Sequence, residues 1–134
     1  MFLGNLTEKE RAAFICLVEN EIKADGITTE TEIFALSNLT KELHVKDKKG
    51  KLSLEESYRI LTDLDESSRR GVYIELYSVA MAEKTFGSSE KDFLKTVAQQ
   101  IKLPADFPPK AEGWLSEYFG VLQKGIDLVS KIGK

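Results

Sequence analysis

A chain of 134 residues with 42% hydrophobic and 31% charged side chains carries enough apolar matter for one buried core, which excludes a disordered segment. Its formal net charge of -3 excludes the massed lysines and arginines that displace counterions from a nucleic acid. The single cysteine, Cys16, closes no internal disulfide, and the longest apolar run near the start, Phe14 to Val18, is too short for a signal core or a membrane span. Cytoplasmic residence and the absence of a transmembrane segment are the resulting expectations.

Taken in chain order, the helix starts are marked by capping boxes, in which a hydroxyl accepts from one free amide and a carboxylate from another. Thr7 with Glu10 opens the first helix, whose stripe is Phe14, Ile15, Val18 and Ile22. Thr29 with Glu32 opens the second, with Ile33, Leu36, Leu39 and Leu43 on its stripe. Lys46, Lys48, Lys49 and Lys51, around Asp47 and Gly50, read as a solvated loop. Ser53 with Glu56 opens a third helix carrying Leu54, Tyr58, Leu61 and Leu64, and a fourth from about Ser67 carries Val72, Tyr73, Leu76, Val79 and Ala80. Ser89 with Asp92 opens a fifth, with Phe93, Leu94, Val97 and Ile101. Pro104, Pro108 and Pro109 interrupt the pattern, so residues 104–109 are expected to be a turn. A long terminal helix then runs over 110–134, with Trp114, Leu115, Tyr118, Phe119, Leu122, Ile126 and Val129 at helical spacing and an expected seat on the bundle. No segment alternates with period two, so the predicted fold class is all-α.

Shifting the chain on itself by 58 positions superposes two segments without a gap, about 7–45 on about 66–103. Ile15, Val18 and Ile22 meet Tyr73, Leu76 and Ala80, while Leu36, Leu39, Leu43 and Val45 meet Leu94, Val97, Ile101 and Leu103. Ala24-Asp25-Gly26 meets Ala82-Glu83-Lys84, and Glu32 meets Glu90. The predicted architecture is a single bundle of two pseudo-repeated antiparallel hairpins, with Leu54 to Leu64 bridging them and a C-terminal helix added.

These acidic turns resemble the TerB-like family, helical domains named for a tellurite-resistance protein. The resemblance lies in Ala24-Asp25-Gly26 with Thr28, Thr29 and Glu32, and in Ala82-Glu83 with Ser88, Ser89 and Glu90; it covers about residues 6–103, within an expected domain of residues 1–103. It implies a cytoplasmic stress-associated or scaffolding role. It also implies a metal site drawn from Asp25, Glu32, Glu83 and Glu90, although Lys84 sets a cation beside the second pair.

On the residues themselves, Asp25, Glu32 and the Thr28 hydroxyl offer oxygen ligands of the kind a hard divalent cation takes. Glu21, Gly26 and Glu32 match three positions of an EF-hand loop, but Lys23 stands where the third ligand belongs. The competing reading is that Glu32 caps a helix and Asp25-Gly26 turns the chain. Cys16, mid-helix in an apolar run, and His44, at a helix end, do not form a nucleophile and base. Glu55, Glu56, Asp63, Asp65 and Glu66 sit at helix ends as solvated charge. No catalytic group is therefore expected. The aromatic flank of the terminal helix, Trp114, Tyr118, Phe119 and Leu122, is the expected surface for an unidentified protein partner or a homodimer.

Overall fold

The computed structural model describes residues 2–24, 30–43, 52–82 and 87–130, and among the described residues every regular element is an α-helix. The chain divides into two compact units, Met1–Leu103 and Pro104–Lys134. The first holds α1 (Glu8–Ile22), α2 (Glu30–Glu42), α3 (Leu54–Thr62), α4 (Glu66–Met81) and α5 (Ser88–Gln100). The second holds α6 (Phe107–Ser130).

Local chemistry sets the helix starts. The Thr7 hydroxyl accepts from the Glu10 amide while the Glu10 carboxylate accepts from the Thr7 amide, and Ser53 with Glu56 repeats this box at α3. These amide bonds hold the Glu56 carboxyl below its usual range, the backbone bond at Ser53 being the main cause. At α4 the cap is Asp65, whose Oδ1 accepts from the Ser68 amide at 2.7 Å and whose pKa is lowered chiefly by that bond. The helix thus begins at Glu66, capped by a residue that the hydroxyl signature does not pick out.

At α5 the structure corrects the expected cap. Gly87 is the N-cap, Ser88 and Ser89 lie inside the first turn, and the Glu90 Oε1 accepts from the Gly87 amide at 3.0 Å. Three residues from cap to carboxylate is the same spacing as elsewhere, displaced by the serines' resemblance to a cap. The far end of α5 turns through Lys102 at φ 60, with Lys102 N–H donating to Gln99 O at 3.2 Å and Leu103 N–H to Ala98 O at 3.0 Å. This is a Schellman ending with lysine where glycine is usual.

Within the first unit α1 is the axis. It packs most extensively on α3 and also on α4, α2 and α5. Phe14, Leu17 and Val18 of α1, Leu61 of α3, Val72, Tyr73 and Leu76 of α4, and Leu94 and Val97 of α5 are sealed from solvent. Leu3 and Leu6, ahead of α1, are buried with them. The arm that carries them lies close to α4: Phe2 N–H donates to Glu75 Oε1 at 2.7 Å, and a Cβ on Gly71 would come within 2.9 Å of the Phe2 Cβ. Glycine inside α4 gives up helix propensity of about 1 kcal/mol to admit this arm.

Two further expectations change. Ile33, placed on the buried stripe of α2, is exposed, and Leu36, Leu39 and Leu43 are only half-buried. The terminal helix starts at Phe107, not Lys110, because prolines at the first positions of a helix remove amides that have no partner there anyway. Pro108 and Pro109 therefore begin the helix instead of preceding it.

Candidate interaction surface

Considered by itself, α6 is 24 residues long, roughly 36 Å at 1.5 Å per residue. Pro104 O accepts from Phe107 N–H at 3.0 Å, and an exposed Lys110–Asp106 pair at 3.1 Å flanks the start. Trp114 stacks on Tyr118 with centroids 5.5 Å apart and planes at 15°, and Phe119 meets Tyr118 edge-on. At 100° per residue, Trp114, Val121 and Leu128 form one row and Leu122 and Val129 another beside it, so the apolar arc persists over the helix.

Part of that arc faces water, and Leu115, which shares it, is buried. Trp114 is 42% exposed, Leu122 43%, Ile126 56%, Val121 66%, Val129 68% and Leu128 70%. Tyr118 and Phe119 are half-buried. Glu117 and Lys124 border the Trp114 row and Asp127 lies on the far side, with Gln123 donating to Asp127 Oδ1 at 2.9 Å. Opposite charges are mixed there, without the basic bias that anionic lipid attracts. Among the described residues, no helix is long and apolar enough to cross a membrane. What the arrangement can do chemically is bury aromatic and aliphatic surface against another apolar surface.

Of the four acidic residues the sequence singles out, Asp25 and Glu83 lie outside the described residues, as do Thr28, Thr29 and His44. Glu32 is buried in the first turn of α2, and Glu90 is buried at the equivalent place in α5, its Oε1 engaged by the Gly87 amide. Glu21, near the end of α1, is wholly buried. Among the described residues no three of His, Cys, Asp or Glu are grouped as an ion would need.

Comparison with known proteins finds no matching family model, curated protein or solved structure. The residues themselves carry the remaining chemistry. Cys16 is buried and its thiol donates to Leu52 O at 3.4 Å, with the Asn20 amide donating to Cys16 O at 2.8 Å. Beside it, burial pushes the Tyr58 hydroxyl up to about 12, the neighbouring Cys16 adding to the shift. The Tyr58 hydroxyl therefore keeps its proton at ordinary pH.

Two arginines join distant parts of the first unit: Arg11, which the sequence does not single out, and Arg69, whose place at a helix start reads from sequence as surface charge. Arg11 Nε donates to Leu43 O at 2.7 Å and Nη1 to Leu6 O at 2.6 Å. Arg69 Nε donates to Leu64 O at 3.1 Å, and Nη1 to Ile101 O and Lys102 O, each at 2.9 Å. Every residue in the first set stands 58 positions before its counterpart: Arg11 and Arg69, Leu6 and Leu64, Leu43 and Ile101. Arg11 and Arg69 already meet under the 58-residue shift, and carrying the shift back to Leu3 and Leu6 adds Leu61 and Leu64.

Proposed function

We propose that this chain is a non-enzymatic helical interaction module of TerB-like type, made of a doubled hairpin and recruiting a protein through the apolar face of α6. The observation that carries the reading is the exposure of Trp114, Val121, Leu122, Ile126, Leu128 and Val129 along one helix. Leaving that much apolar surface in water is unfavourable by roughly 25 cal/mol per Å², so a partner that covers it gains the same amount.

Several pairs support the doubling. The bounds of α2, moved by 58, coincide with those of α5, and Thr7 and Asp65 are both N-caps. Leu6 N–H donates to Leu3 O at 3.3 Å, as Leu64 N–H does to Leu61 O at 3.1 Å. The matched arginines close each pair of helices in the same way.

Photocrosslinking from the full chain in the cells that make it tests this function. A photoreactive side chain at Leu122 or Leu128 is expected to give a discrete adduct with a protein partner or a second copy. The same group at Ser116, an exposed polar position of α6, is expected to give none. No adduct from either apolar position, or equal adducts from Ser116, would refute the reading.

A further inference from the structure

The second helix of each pair occupies the same place in the 58-residue shift, yet the two are held very differently. α5 buries Glu90, Leu94, Val97 and Ala98, with Ile101 sealed just beyond its end, and packs on α4, α1 and α3. α2 packs chiefly on α1; among its described side chains only Glu32 is buried, Leu36 and Leu39 are half-buried, and Ile33 and Phe34 face water.

A thirteen-residue helix with Ser37, Asn38 and Thr40 in its second half is a weak helix in isolation, because nucleation is unfavourable and short polar side chains compete for the backbone. The Thr40 hydroxyl already donates to Leu36 O at 2.8 Å. Little burial and low propensity leave α2 sensitive to how its far end is fastened. There the Arg11 guanidinium holds Leu43 O at 2.7 Å and, with its other arm, Leu6 O at 2.6 Å. Leu6 is itself buried in the core, so the arginine ties the last turn of α2 to a packed segment.

We propose that α2 is a latched strap and Arg11 its latch: α2 lifts from α1 and unwinds in a local opening while α1, α3, α4 and α5 stay folded. Arg69 makes the matching bonds on α5 but is not a latch, since the buried Leu94, Val97 and Ile101 hold that helix in place without it. Lifting frees Leu36, Leu39 and Leu43, beside the already exposed Ile33 and Phe34, as a second apolar edge distinct from α6.

Amide hydrogen exchange resolved by residue, on the full chain and on Arg11→Met, tests the latch. Removing a charge-assisted bond is expected to speed exchange across residues 34–43 by roughly tenfold or more while the amides of α4 and α5 keep their rates. If Arg11→Met does not fold, Arg11→Lys, which keeps the charge but loses the two-armed grip, is measured in the same way with the same expectation. Unchanged exchange in α2, or equal acceleration in α2, α4 and α5, would overturn the proposal.

Discussion

The α1–α2 pair and the α4–α5 pair begin alike and end differently. Both leading helices start behind a capped turn that follows two buried or half-buried leucines, and both carry an arginine that reaches the carbonyl end of the trailing helix. They part at the trailing helix: α5 is built into the core between three neighbours, whereas α2 rests mainly on one. The difference teaches that a shared hydrogen-bonding plan can go with unequal burial. The bonds fix where a helix lies, and the buried apolar area decides how firmly it stays there.

The largest expected effect that sharpens this comparison comes from truncating matched side chains. Leu94→Ala, at a sealed position of α5, is expected to lower the free energy of unfolding in urea by about 3 kcal/mol, the usual loss for a buried leucine. Leu36→Ala, at the matched half-buried position of α2, is expected to lose about 1 kcal/mol. Equal losses would erase the distinction between the pairs. A smaller effect is expected at the braced end of α5, where Lys102 holds φ 60 without the freedom of glycine. Lys102→Gly relieves that conformation and loosens the unfolded chain, for a net gain of about 0.5 kcal/mol in the same urea titration. A loss instead would mean that the lysine side chain contributes to the end of α5 that Arg69 clasps.

How much of this was legible in the sequence follows from how local each feature is. The all-helical class and the caps at Thr7 and Ser53 depend on residues within one turn, and they are found where expected. Ser89 misled because a hydroxyl near a helix start imitates a cap, while the true cap, Gly87, has no side chain to advertise it. Pro108 and Pro109 interrupt the apolar period as breakers do, yet the first turn is the one place where a helix tolerates them. Ile33 follows the helical period faithfully, but periodicity reports that a stripe exists and not that a neighbour covers it. The two arginines left no periodic trace, since an arginine bonding to carbonyls 32 or 33 positions away has the same local surroundings as surface charge. For the candidate surface, Trp114 and Leu122 are exposed while Tyr118 and Phe119 are half-buried, a difference that helical spacing alone does not express. The acidic turns fare differently, because Asp25 and Glu83 lie outside the described residues.

The most direct measurement of the central claim, one plan with unequal sealing, is amide exchange of the unaltered chain followed through rising, sub-denaturing urea. Amides of α2 are predicted to exchange through an opening that exposes little surface and responds weakly to urea, and those of α5 through global unfolding with a steep response. If α2 and α5 merge onto one steep line at every urea concentration, the two pairs are equally sealed and the account is contradicted.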